Sequence, residues 1–148
     1  MHTPTLNQEL VSILFDEWAT STNSKTGTLG FINHTQKVTS FYRTQCDAIL
    51  DSCEKHLHGL ATWNRPKAGM FLWLTVPDVV NTKKLIEAQA LENNVLLVPG
   101  QAFMPNDEVT NTCRLSFSQE TPERMDEAVR RLGEMIQRDI DGAKNDSA

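Results

Sequence analysis

No stretch of the 148-residue sequence approaches the roughly 20 consecutive apolar residues that a membrane-spanning helix requires. Its longest apolar run, Met70–Val76, has the length of a strand. The N-terminus carries no basic segment leading into an apolar one, so no secretory leader is expected and the expected location is cytoplasmic. A basic surplus is missing as well. The formal net charge of −5 argues against nucleic acid as a partner, because phosphate binding needs a positive surface. Cysteine is scarce, with only Cys46, Cys53 and Cys113. Cys46 and Cys53 stand two helical turns apart, roughly 10 Å at 1.5 Å per residue, which is too far for a bridge. Three reduced, buried thiols are expected. Internal repeats and low-complexity segments are also lacking. What remains is an ordinary globular composition, 39% hydrophobic and 22% charged, in a chain long enough to bury a core.

Hydrophobic spacing divides the chain into eight elements. Leu6, Leu10, Ile13, Leu14 and Trp18 recur at helical intervals, with Thr3 as a cap and Pro4 at the first helical position. The polar run Thr20–Gly27 reads as a loop. From Leu29 to Leu57 a second stripe (Ile32, Val38, Phe41, Tyr42, Ile49, Leu50, Cys53, Leu57) continues without a proline, and Gly59 supplies the stop. Close to 30 residues make about 45 Å of helix, longer than this chain's own globule needs, as a helix spanning two domains would be. Leu60–Trp63 and Met70–Val76 read as strands, the second apolar on both faces as a central strand is. Asn81 or Thr82 caps a helix through Glu92 that carries Leu85, Ile86, Ala90 and Leu91 inward. Val95–Val98 is a strand closed by Pro99-Gly100, and Gln101–Thr112 is a loop long enough to suggest a function. Cys113–Ser118 alternates, with Cys113, Leu115 and Phe117 on one face and Arg114, Ser116 and Ser118 on the other. Thr121-Pro122-Glu123 opens a last helix with Met125, Ala128, Val129, Leu132, Ile136 and Ile140 inward, and Gly142–Ala148 is a polar tail. The order α, α, β, β, α, β, β, α implies a small sheet with helices packed on it, α/β or α+β.

Few residues offer chemistry. Arg114 is the foremost: a guanidinium on a strand is a rigid planar fork suited to clamping a carboxylate through two parallel hydrogen bonds. It could equally pair with an acid on the protein's own surface. His56 and His58 point apart on a helix and lack a third ligand, so no metal site is expected; their place is electrostatic, near a helix C-terminus. No nucleophile motif surrounds the cysteines. Gly100 is either a turn residue or a point of close backbone approach to a ligand, and Phe103 either a pocket wall or a loop anchor.

Gly69-Met70-Phe71-Leu72-Trp73-Leu74, Val95–Phe103 with its Val-Pro-Gly-x-x-Phe turn, and Cys113–Ser118 followed by Thr121–Ala128 together resemble the fold type I, class I aminotransferases. The resemblance is to the α-aminoadipate/kynurenine and aromatic amino-acid branch. It extends upstream through Thr5-Leu6-Asn7-Gln8, Gly30-Phe31-Ile32 and Asp47-Ala48-Ile49-Leu50, and so covers nearly the whole chain but only the last third or so of a family member. It implies the C-terminal small domain of that architecture, with a mostly antiparallel sheet and a long interdomain helix. Residues 1–33 would be a remnant of the large cofactor-binding domain, and 34–148 the small domain with its bridging helix.

The resemblance implies pyridoxal 5'-phosphate as cofactor, an amino acid and a 2-oxo acid as substrates, and Arg114 as the residue that binds the substrate α-carboxylate. The segment Pro99–Phe103 would lie at the pocket edge. The family's Schiff-base lysine, phosphate-cup residues and pyridine-nitrogen aspartate all precede the region matched. None of Lys25, Lys37, Lys55, Lys67, Lys83, Lys84 and Lys144 stands in a Schiff-base motif. No catalytic or cofactor-binding residue is therefore assigned, and the chain alone is expected not to transaminate. Three readings stay open: part of an aminotransferase that needs a large domain or second subunit, a non-enzymatic carboxylate-binding or interaction module, and a regulatory partner of a full-length enzyme. Under each, the first helix and the start of the second should expose apolar side chains.

Overall fold

The computed structural model describes residues 3–145, with the side chains of Ala90 and Leu91 outside the described set. The helices are α1 (Thr5–Ser21), α2 (Thr28–Leu57), α3 (Thr82–Asn93) and α4 (Pro122–Asn145). The strands are β1 (Thr62–Trp63), β2 (Phe71–Thr75), β3 (Val98–Pro99) and β4 (Thr112–Ser116), and a 3-10 turn occupies Gly100–Phe103. The chain divides into two compact units, Met1–Phe41 and Tyr42–Ala148.

In the first unit, glycine and aromatic residues set the packing. A Cβ on Gly27 would lie 2.3 Å from the Phe15 carbonyl oxygen, and one on Gly30 would lie 2.4 Å from the Trp18 Cβ. Both positions therefore have to be glycine for α1 and the start of α2 to approach this closely. Phe15 then stacks on Phe31 at 5.9 Å between centroids and meets Trp18 edge-on at 5.4 Å. Elsewhere α1 buries nothing: Leu6 is 69% exposed, Leu10 57% and Ile13 61%. Leu29, Ile32, Val38 and Phe41 of α2 are exposed too. An apolar surface of this extent is what an interaction face presents. The N-cap expected at Thr3 falls one residue later. Pro4 itself takes the N-cap position, whose side chain accepts no hydrogen bond, and the Thr3 carbonyl receives the Gln8 Nε2 instead, at 2.6 Å.

The second unit is a four-stranded, wholly antiparallel sheet in the order β1-β2-β4-β3. β2 is central, as its two apolar faces suggested. Its register against β4 pairs Leu72 with Leu115 and Leu74 with Cys113. These four residues are buried. They share one core cluster with Ile49, Cys53 and Leu57 of α2, Leu85 and Ile86 of α3, and Met125, Val129, Leu132, Met135 and Ile136 of α4. The helices thus cover one face of the sheet, and the alternate residues Phe71, Trp73, Arg114 and Ser116 lie on the other. For α3, Leu85 and Ile86 point inward as expected; the same expectation for Ala90 and Leu91 falls outside the described residues.

Local chemistry explains the helix ends. The Asn81 side chain accepts the Lys84 amide at 3.1 Å, which makes Asn81 the cap of α3. Thr82 is instead buried, its hydroxyl donating to the carbonyls of Thr110 and Thr112. Asn94, at φ 53°, ends α3 in the left-handed conformation. Thr121 caps α4 by accepting the Arg124 amide. Gly133 lets α4 lie against α2, since a Cβ there would sit 2.7 Å from the His56 carbonyl oxygen.

Two expected boundaries are corrected. The strand expected over Val95–Val98 pairs only at Val98 and Pro99. Val95 and Leu97 are buried and Leu96 exposed, so the stretch alternates like a strand without joining the ladder. Gly142–Asn145, expected in a polar tail, continue α4, while 146–148 lie outside the described residues.

All three cysteines are free and buried. Burial pushes the thiols of Cys53 and Cys113 up to about 12. Unfolded thiols ionise near 8.5, so between that pH and about 12 the native state holds more protons than the unfolded one. Stability from this source is complete below the unfolded value and falls as pH rises through the folded one. At pH 8, Ellman's reagent should leave Cys53 and Cys113 unmodified until guanidinium is added. Rapid labelling of all three thiols in the folded chain would contradict their burial.

Candidate functional site

The open face of the sheet carries Arg114 among aromatic side chains. β2 and β4 place Trp73 directly opposite Arg114, and Phe71 opposite Ser116. The guanidinium carbon of Arg114 lies over the Phe71 ring, 4.0 Å from its centroid, and over the Phe103 ring at 4.8 Å. Trp73 meets Phe103 edge-on at 5.3 Å. Among the described residues no carboxylate pairs with Arg114, whereas Arg65 pairs with Asp47, Arg124 with Glu120, and Arg130 and Arg131 with Glu127.

Chemically, the face offers a cation with free N–H donors in a partly dry, aromatic setting. That combination suits an anion with an apolar body, and the planar fork suits a carboxylate. Beside Trp73 a cavity of about 180 Å³ is lined by Thr62, Trp63, Asn64, Trp73 and Thr75. A wider trough of about 540 Å³, bounded by Lys83, Lys84, Glu87 and Gln101, lies apart from Arg114, and none of its lining residues is buried. The aromatic face differs from that trough in holding its charge against two rings, at 4.0 and 4.8 Å.

Other candidates resolve into structural roles. Gly100 is buried, and a Cβ there would meet the Thr112 hydroxyl at 1.9 Å, so packing within the chain accounts for the glycine rather than approach to a ligand. Phe103 is part of the aromatic face. His56 bonds Asp126 of α4 at 3.0 Å, and Lys55 bonds the same carboxylate at 3.0 Å; together they hold its pKa below the usual range, the Lys55 hydrogen bond contributing most. His58 lies 3.9 Å from Glu54. Three residues had no signal in the sequence. Gln45 is buried and donates to the carbonyls of Phe117 and Glu120, and Arg131 and Arg138 reach the end of α3 at Asn93.

Each of the seven lysines is exposed or half-exposed. A Schiff-base lysine has to be desolvated or paired so that it is neutral at working pH.

No family model matches the chain. The mitochondrial kynurenine/α-aminoadipate aminotransferase of Rattus norvegicus is 42% identical over 137 residues, which are 92% of this chain and 30% of the relative. Among solved structures, the α-aminoadipate aminotransferase of Thermus thermophilus, complexed with N-(5'-phosphopyridoxyl)-L-leucine, superposes with a TM-score of 0.73 at 34% identity, covering 92% of this chain and 32% of that one. The kynurenine aminotransferase of Pyrococcus horikoshii, in complex with PMP, gives a TM-score of 0.68 at 34% identity, with 73% and 26% covered. The chain belongs to the fold type I aminotransferases, as their C-terminal part. It spans about 30% of the length of the curated relatives it matches. The antiparallel four-stranded sheet with helices on one face is that architecture's C-terminal portion. No helix among the described residues is long and apolar enough to cross a membrane.

Proposed function

We infer that these residues supply the substrate-carboxylate arginine of a pyridoxal-phosphate-dependent aminotransferase, which moves amino groups between amino acids and 2-oxo acids. The observation that carries the reading is Arg114 on β4, flanked by two aromatic rings and without an acidic partner among the described residues. An amino acid loses its α-proton productively only when it is held in one orientation, and a bidentate clamp on its carboxylate fixes that orientation. The cofactor supplies the electron sink when bound. Its principal contacts, the Schiff-base lysine among them, are assigned to protein outside these residues.

On this reading 1–33 is the edge of a large domain, 34–148 is the small domain, and the 148 residues alone do not turn over. The exposed leucines of α1 and the apolar start of α2 support a large domain or second subunit as partner. A stand-alone carboxylate-binding module has the same arginine but no use for that apolar face. The cytoplasmic location rests on the sequence alone, and the rat relative is named mitochondrial; fractionation of the source cells decides it.

The test is a graft. These residues replace the corresponding C-terminal stretch of the Thermus thermophilus 2-aminoadipate transaminase, which is 35% identical over 136 residues. The hybrid should transaminate, and the 148-residue chain with pyridoxal phosphate and amino acid should not. Turnover by the chain alone, or a folded, cofactor-loaded hybrid without turnover, would sink the reading.

A further inference from the structure

An arginine side chain is long and loses much rotamer freedom when fixed, so whatever restrains it before a ligand arrives improves binding. An acidic neighbour restrains a guanidinium but occupies the donors that a carboxylate ligand needs. An aromatic face restrains it differently: the ring quadrupole attracts the cation while every N–H stays free. Arg114 has the second arrangement, with Phe71 and Phe103 at 4.0 and 4.8 Å and no carboxylate partner among the described residues.

The geometry points to Phe71 and Phe103 as positioning residues that hold the Arg114 guanidinium ready and leave its donors for the carboxylate of an amino acid or 2-oxo acid. This rests on the reading of Arg114 as the carboxylate clamp. The two rings come from either side of β4: Phe71 from β2, and Phe103 from the turn that follows β3. Phe103 is braced in turn. Trp73, the cross-strand partner of Arg114, packs edge-on to it at 5.3 Å. The turn itself is pinned by Gly100 against Thr112, by the Met104 amide donating to the Gln101 carbonyl at 3.0 Å, and by the Gln101 side chain donating to the Asp107 carbonyl at 2.9 Å. Phe71 and Phe103 are 42% and 43% exposed, so neither ring is there to fill the core. A positioning role accounts for two large rings left in water beside a charge.

The experiment follows the Arg114 Nε–Hε group by ¹⁵N NMR in the full chain, with 2-oxoglutarate as the probe. In the free wild-type chain this group should be ordered. Phe103→Leu and Phe71→Leu should each drop its order parameter toward the flexible range, below about 0.6. Each should also weaken 2-oxoglutarate binding about two- to fivefold, the size of one exposed cation–π contact. Phe103→Tyr, which keeps the ring, should restore both. A merely structural role would move the unfolding midpoint and leave Arg114 order alone. Unchanged order in both leucine variants overturns the positioning role, whatever the ligand does, because order is read without ligand. Absence of 2-oxoglutarate binding to the wild type, or binding untouched by Arg114→Lys, overturns the clamp reading instead, and the positioning role with it.

Discussion

Replacing Arg114 by alanine in the grafted enzyme should lower kcat/KM by about 10²- to 10⁴-fold at a stability cost of no more than about 1–2 kcal/mol. The size follows from two charge-assisted hydrogen bonds to one carboxylate, each about 1.5–3 kcal/mol, at about 1.4 kcal/mol per factor of ten. The stability side is small because Arg114 makes no ion pair among the described residues. Its removal costs the two ring contacts of the free protein, about 0.5–1 kcal/mol each at an exposed site. Arg114→Lys keeps the charge and loses the fork, so it should fall between wild type and alanine, with about 10- to 100-fold loss where one of the two bonds survives. Steady-state kinetics and urea unfolding on the same samples separate the two effects. An alanine variant with near wild-type kcat/KM would remove Arg114 from the site. One that loses stability as fast as activity would make it a structural arginine.

Helices were legible where local signals coincide. Thr121-Pro122-Glu123 announces α4 through a cap, a proline at the first position and an acid in the first turn, and α4 begins at Pro122. The stripe from Ile32 to Leu57 falls within α2. Cys113, Leu115 and Phe117 face the core, as alternation requires. Signals that depend on distant partners were illegible. Thr3-Pro4 has the composition of a cap, yet nothing in it says that Pro4 will take the cap position. Val95–Leu97 alternates between buried and exposed, but a ladder also needs a neighbouring strand in register. Gln45 looks like any helix-surface glutamine, and its bonds cross 72 and 75 residues of sequence. For the site, alternation placed Arg114 on the polar face of its strand. That the same face is aromatic depends on the β2–β4 register, which puts Trp73 opposite Arg114, and on a turn that carries Phe103 back over it.

Phe117→Ala should cost about 3–5 kcal/mol, the range for truncating a buried aromatic side chain. Against a whole-domain stability of about 5–15 kcal/mol, that would leave the fold marginal. Three features put Phe117 at the upper end. Its side chain is 1% exposed within the core cluster, so alanine leaves a cavity rather than a wetted surface. Its amide donates to the Met70 carbonyl at 3.1 Å, continuing the β2–β4 pairing beyond the last strand residue. Its carbonyl accepts the buried Gln45 side chain at 3.1 Å, so a shift of this backbone also strands a buried amide, which costs about 1–3 kcal/mol by itself. Phe103→Ala is the control: an equal change in size at a 43% exposed ring should cost about 1–2 kcal/mol, mostly its contacts with Arg114 and Trp73. Urea unfolding followed by tryptophan fluorescence compares them. Equal losses in the two variants would mean that the aromatic face is a second core, not a surface kept open for a ligand. A large loss at Phe117 and a small one at Phe103 is the result that lets the ring beside Arg114 be read through binding.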